Sequence, residues 1–277
     1  MEIENETNKI IRIAWWGLHF GEEEPFVKDK GAGTIFFTGC NLRCVYCQNY
    51  QISQQGIGKN YSLQELIGIM LKLQKMGVLN IDLVTPTIWA KQIKEAIMEA
   101  KKKGLNIPIL WNSNAYEDVE MLKGLEGLVD IYLPDFKYSD DELGFKYSGI
   151  KDYSGKAKEA IMEMYQQVGN LKLDEKGIAQ KGLVVRHLIL PNNIKNSLNV
   201  LDHIKEIDNN IYISLMSQYE PIHKSKDFSE LNRIINKREL DKVFDHLVEL
   251  GFENGWVQDI ESHSDFLPDF TKPNPFK

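Results

Sequence analysis

Six short apolar runs, set apart by stretches of helical period, constrain this chain more than any other feature of its sequence. The runs are Gly33–Thr38, Ile81–Val84, Pro108–Trp111, Val129–Leu133, Gly182–Leu190 and Ile211–Leu215. Parallel strands cannot be joined by tight turns, so each needs a crossover, and a helix supplies it. Between the first two runs, Ser62-Leu-Gln-Glu65 spells a capping box. Leu63, Leu66, Ile67, Met70 and Leu73 then follow at helical spacing, with a stop at Gly77. Further helices are expected over Ala90–Lys103, with Ile93, Ala96, Ile97 and Ala100 on one face, and over Lys156–Val168, Ser197–Ile207 and Arg238–Leu250. The polar Asp174–Gly177 turn marks a small hairpin excursion, and Trp256–Ile260 reads as a late strand that extends the sheet. Six βα units fall short of the eight of a closed barrel, so the pattern allows a partial barrel or an open doubly wound sheet.

All three cysteines lie directly after the first run, as Cys40-Asn-Leu-Arg-Cys44-Val-Tyr-Cys47. Gly39 turns the chain from strand to loop, which sets the triplet at the strand's C-terminal end, where barrel active sites are assembled. Three thiolates on one tight loop suit a [4Fe–4S] cube with its fourth iron left free of protein ligands. Structural zinc needs four closed ligands, and the nearest histidine, His19, lies upstream among apolar residues. A disulfide with one spare thiol is disfavoured in a reduced compartment. A simple electron carrier is better served by four cysteines; a non-catalytic iron–sulfur protein remains open on ligand count alone.

Polar residues recur at the ends of the later runs: Thr85-Pro86-Thr87, Asn112-Ser113-Asn114, Asp135-Phe136-Lys137, Arg186-His187 and Gln218-Tyr219-Glu220. Each alone is a turn residue or cap. Together they line up at one end of the expected sheet. Arg186, inside an apolar run, needs a carboxylate, supplied either by a ligand or by an internal salt bridge.

The stretch TGCNLRCVYCQN resembles the cysteine motif of radical S-adenosylmethionine (radical SAM) enzymes. From Leu18-His19-Phe20-Gly21-Glu22-Glu23 through Gln48-Asn49-Tyr50, the chain is similar to the pyruvate formate-lyase activating enzyme-like group. The resemblance implies a partial (β/α)6 barrel, with Cys40, Cys44 and Cys47 as cluster ligands and S-adenosylmethionine as the second cofactor. It further implies that Tyr46 lies near adenine, that Asp135 and Lys137 form a D-x-K element holding the amino acid end of S-adenosylmethionine, and that Arg186 contacts the cofactor. Thr85 and Thr87 stand where activases carry Gly-Gly-Glu, and Gln218 stands about where they carry a histidine. Asn112 joins the same set of cofactor-binding candidates.

The implied chemistry is reductive cleavage of S-adenosylmethionine to a 5′-deoxyadenosyl radical that abstracts hydrogen from a substrate. One reading makes that substrate a glycine of a glycyl-radical enzyme; another makes it a small molecule or peptide. With one cluster motif, electrons are expected from an external donor, a flavodoxin or ferredoxin. Net charge −7 argues against nucleic-acid binding, and no apolar run approaches a membrane span, so a cytoplasmic enzyme is expected. Residues 1–277 are expected to form a single domain, with 1–32 an N-terminal extension and 262–277 a C-terminal tail. The tail's Pro-rich end is expected at the surface or against a partner. The aromatic segment Trp15–Glu24 either packs as a strand under the barrel or closes a pocket, and His19 reads as a structural residue. The site is expected to open laterally, with the Tyr138–Tyr153 loop and the N-terminal segment as its possible covers.

Overall fold

The computed structural model describes residues 10–258 and 267–276. Its strands are β1 (Ile10–His19), β2 (Ala32–Phe37), β3 (Lys59–Ser62), β4 (Ile81–Val84), β5 (Ile109–Ser113), β6 (Ile131–Pro134), β7 (Lys172–Leu173), β8 (Ala179–Leu188), β9 (Tyr212–Met216) and β10 (Gly255–Val257). They form one sheet in the order β10-β9-β8-β6-β5-β4-β2-β1-β3, with β7 paired to β8. From β2 to β10 every neighbouring pair on this path is parallel. Each parallel strand lies beside its successor, so the chain winds in one direction. A doubly wound sheet would instead reverse at a switch point.

The sheet curls. Ala32, Leu110, Ile131, Leu133, Val184 and Tyr212, which come from strands across its width, pack in one cluster with Phe26 and Val27. These side chains share one face of the parallel sheet with Phe26 and Val27, as in a mixed α/β fold wound as a partial barrel. Helices Leu63–Lys75, Ala90–Lys102, Tyr153–Val168, Ile194–Lys205 and Lys237–Glu249 supply long crossovers. The predicted capping box is formed: Ser62 Oγ accepts from Glu65 N–H at 3.3 Å and the Glu65 carboxylate accepts from Ser62 N–H at 2.7 Å. The Asp174 turn closes the β7–β8 hairpin, with Asp174 Oδ1 accepting from the N–H groups of Lys176 and Ile178.

The N-terminal segment is more integral than an extension. β1 pairs antiparallel with β2, through Trp16↔Ile35 and Gly17↔Thr34, and β3 pairs with its outer side. Beyond β1 the chain turns inward, and Phe26 and Val27 enter the barrel interior. The late strand is present as Gly255–Val257, parallel to β9; residues 259–260 of the expected Trp256–Ile260 run lie outside the described residues. Residues 141–148, expected in a loop, form a helix capped by Asp140, whose carboxylate accepts from Leu143 N–H at 2.9 Å. Among the described residues no helix is long and apolar enough to cross a membrane.

Candidate active site

The C-terminal ends of the parallel strands surround a cavity of about 890 Å³. β2 delivers the cysteine loop to it through Gly39, whose φ of +93° is the left-handed conformation that permits the turn. The loop is fixed from outside: Arg43 N–H donates to Ser148 O, Val45 N–H to Tyr147 O, and Gly39 N–H to Ile52 O. Cys40, Cys44 and Cys47 all line the cavity. Each sulfur has its own hydrogen-bonding partners. Leu42 N–H and Asn114 Nδ2 donate to Cys40 Sγ at 3.3 Å, Ser148 Oγ donates to Cys44 Sγ at 3.0 Å, and Ser53 Oγ lies 3.3 Å from Cys47 Sγ.

Burial pushes all three thiols up; for Cys47, burial and then the neighbouring Cys44 raise the pKa to about 12. Thiolates here therefore require a positively charged group to ligate them. Among the described residues no three metal-ligating side chains converge as they would around a single ion. The donor set, three soft sulfurs with outer hydrogen bonds facing an open volume, fits an iron–sulfur cluster.

Thr85, Asn112, Asp135, Lys137, Arg186 and Gln218 line the same cavity, as does Tyr46. Lys137 Nζ lies 2.6 Å from Asp135 Oδ2. Burial alone would lower the lysine's pKa, but Asp135, with the Cys44 sulfur, holds it above the ordinary value, so Lys137 is an ammonium. Tyr153 braces this element: its hydroxyl donates toward the Asn114 and Asp135 carbonyls and accepts from Lys137 N–H. The Gln218 side-chain oxygen is buried without a partner in the described structure, a polar group left for a ligand. Thr85 takes a φ of +59°, so the strand-end backbone is strained beside the cavity.

The structure places two expected site residues differently from the rest. Thr87 does not line the cavity; it begins a single 3₁₀ turn and its hydroxyl donates to Glu117 Oε1 at 2.7 Å. Arg186 does line it, but its guanidinium is already engaged. Its Nε donates to Glu23 Oε1 at 2.8 Å, and its terminal nitrogen donates to both Glu22 and Glu23. The carboxylates that the buried arginine requires are thus internal. Burial raises the Glu23 pKa, yet the Arg186 charge and hydrogen bonds outweigh it and leave Glu23 below the ordinary carboxyl value. Nearby Asp82 is buried on β4 and accepts from Thr34 Oγ1 at 3.0 Å; burial, with the Glu22 charge, pushes its pKa well above the ordinary carboxyl value. His187, expected with Arg186, points away from the cavity and bridges Phe136 O and Ser197 Oγ.

The flank of the cavity is furnished by the N-terminal segment, expected either under the barrel or at a pocket, and by the tail. His19, Phe20, Gly21, Glu22 and Glu23 line one side, with Trp15 and Leu18. The tail, expected at the surface, contributes Pro268, Asn274 and Phe276. Phe276 packs against His19 at a ring separation of 4.2 Å and against Trp15 at 5.2 Å, and Phe270 meets Phe36 at 5.3 Å. Burial lowers the His19 pKa, which keeps the ring neutral at physiological pH despite Glu22. The Tyr138–Tyr153 segment is not a cover; its helix buttresses the cysteine loop from outside.

Residues 34–171 match the model of the Radical SAM superfamily. Through this domain the chain belongs to that superfamily, whose members use a [4Fe–4S] cluster and S-adenosylmethionine. It is 32% identical over 238 residues to an uncharacterized protein of Methanocaldococcus jannaschii, an alignment covering 82% of this chain and 64% of the relative, so the chain spans less than two thirds of that relative's length. It is 23% identical over 252 residues to a pyruvate formate-lyase-activating enzyme of Clostridium pasteurianum, covering 84% of this chain and 98% of the relative. In fold it is similar to Streptococcus suis SuiB bound to S-adenosylmethionine, with a TM-score of 0.57 and 12% identity over 82% of this chain and 50% of that one.

Proposed function

We propose that this chain is a radical SAM enzyme that holds one [4Fe–4S] cluster through Cys40, Cys44 and Cys47 and removes a hydrogen atom from a substrate in the strand-end cavity. The observation that carries the reading is the convergence of three cysteines and the Asp135–Lys137 pair on that one cavity. When bound, the cluster and S-adenosylmethionine supply a 5′-deoxyadenosyl radical and methionine by one-electron cleavage of the S–C5′ bond. The Lys137 ammonium, held by Asp135, would meet the methionine carboxylate. Thr85, Asn112 and Gln218 would surround the rest of the cofactor with polar groups, with Tyr46 lining the same cavity. The Arg186–Glu22–Glu23 ion pairs anchor the N-terminal segment against the barrel and so keep that flank of the cavity in place. The electron would come from an external flavodoxin or ferredoxin.

The walls formed by Trp15, Leu18–Glu23 and Phe276 favour a small molecule or short peptide as substrate. The alternative, a glycine on a glycyl-radical enzyme, is favoured by similarity to the activating enzyme along nearly its whole length. Reduced protein incubated with S-adenosylmethionine should form 5′-deoxyadenosine. Stoichiometric conversion of a glycyl-radical enzyme to its stable radical, read by electron paramagnetic resonance, would decide for the protein substrate; its absence alongside turnover of a small substrate would decide for the other.

A further inference from the structure

One buried run of hydroxyl groups ends on a cysteine sulfur. Tyr46 Oη donates to Tyr138 Oη at 2.7 Å, Tyr138 Oη lies 2.7 Å from Ser148 Oγ, and Ser148 Oγ donates to Cys44 Sγ at 3.0 Å. The middle contact is symmetric in distance, but counting hydrogens orients it. Each hydroxyl carries a single hydrogen. Ser148 gives its own to the sulfur, so Tyr138 must donate to Ser148, and Tyr46 must donate to Tyr138. All donors point toward Cys44. Along the relay, Tyr46, Tyr138, Ser148 and Cys44 are 6%, 0%, 1% and 7% exposed, so water does not compete. The helix bearing Ser148 is stitched to the cysteine loop by Arg43 N–H and Val45 N–H, and the Tyr153 ring packs edge-on against Tyr138 at 5.1 Å.

We propose that Tyr46, Tyr138 and Ser148 are positioning residues that raise the reduction potential of the cluster by stabilising negative charge on Cys44. The inference rests on the cluster reading above. Reduction adds an electron shared with the ligating sulfurs, so donors aimed at a sulfur favour the reduced form. The low dielectric strengthens that bond, and each upstream hydroxyl polarises the next. Cys40 Sγ accepts from Asn114 Nδ2 and Cys47 Sγ lies 3.3 Å from Ser53 Oγ, but among the described residues no comparable relay of hydroxyls stands behind either sulfur. No bond is made or broken: one electron enters from the external donor and the three protons stay on their oxygens.

The test is a potentiometric titration of the anaerobically reconstituted full chain, followed by electron paramagnetic resonance. Ser148→Ala should keep its iron and sulfide while shifting the equilibrium about tenfold toward the oxidised cluster, about 59 mV for a one-electron couple. Tyr138→Phe should shift it less in the same direction, Tyr46→Phe least, and Ser148→Thr should restore the original value. Unchanged potentials in Ser148→Ala and Tyr138→Phe, at full iron and sulfide, would overturn the proposal. If Ser148→Ala loses the cluster, Tyr138→Phe, which retains the serine hydroxyl, decides it alone. An unmodified protein that assembles no cluster would reject the cluster reading itself, and the relay with it.

Discussion

Replacing Arg186 by Met leaves Glu22 and Glu23 facing each other in the barrel without their cation. The arginine side chain is 13% exposed and both carboxylates are 7% exposed, so solvent screens them little. Removing one partner of a buried ion pair costs about 3–5 kcal/mol, because an uncompensated charge remains. At about 2–4 °C per kcal/mol for a domain of this class, the midpoint of thermal unfolding should fall by about 6–20 °C. Circular dichroism on anaerobic protein, wild type against variant, reads this directly. Adding Glu22→Gln and Glu23→Gln to Arg186→Met should recover much of the loss, since the charges left behind are then removed. S-adenosylmethionine affinity, measured on the same samples, should change little. A variant of native thermal stability with strongly weakened cofactor binding would refute this reasoning and return Arg186 to the role of a cofactor clamp.

Lys137→Met removes the ammonium that faces the cavity and should weaken S-adenosylmethionine binding by about 1.5–3 kcal/mol, measured by equilibrium dialysis on cluster-loaded protein. Unchanged affinity would remove Lys137 from the cofactor site. Glu239 is held by Arg233 against a smaller cost of burial, which brings its carboxyl from 4.5 to about 2 in the folded protein. Its folded value is depressed, so its contribution is fully present above about pH 4.5 and lost as pH falls toward 2. Glu239→Gln should therefore flatten the loss of stability over that window in acid titrations followed by denaturant unfolding. Phe276→Ala opens the aromatic wall over His19 and should raise KM for a small substrate while leaving substrate-free S-adenosylmethionine cleavage intact.

The parallel core and the cysteine loop were legible because they depend on local pattern. Apolar runs, helical spacing, the Ser62–Glu65 box and the Gly39 turn are all written within a few residues of one another. Strand ends in register then brought Thr85, Asn112, Asp135, Lys137, Arg186 and Gln218 to one cavity. What stayed hidden was long-range. Arg186 announced that it needed a carboxylate, but nothing near it in sequence pointed to Glu22 and Glu23, which arrive from over 160 residues away. The Gly21-Glu-Glu-Glu24 run beside buried Phe26 was the available signal. Thr87 shows the converse: a polar residue two positions past a cavity-lining one need not share its direction once a 3₁₀ turn begins. The tail read as surface because it is short and rich in proline, yet Phe270 and Phe276 gave it apolar contacts to bury. Ser148, in a stretch expected to be a loop, reached Cys44 only through a helix that its Asp140 cap and Gly149 terminus could have indicated.

The central claim is tested most directly by anaerobic reconstitution of the wild-type chain beside single Ala variants of Cys40, Cys44 and Cys47. The wild type should hold about four irons and four sulfides and, once reduced, convert S-adenosylmethionine to 5′-deoxyadenosine and methionine. Each variant should lose that conversion. Stoichiometric zinc with no cleavage of S-adenosylmethionine, in protein never exposed to oxygen, would contradict the account.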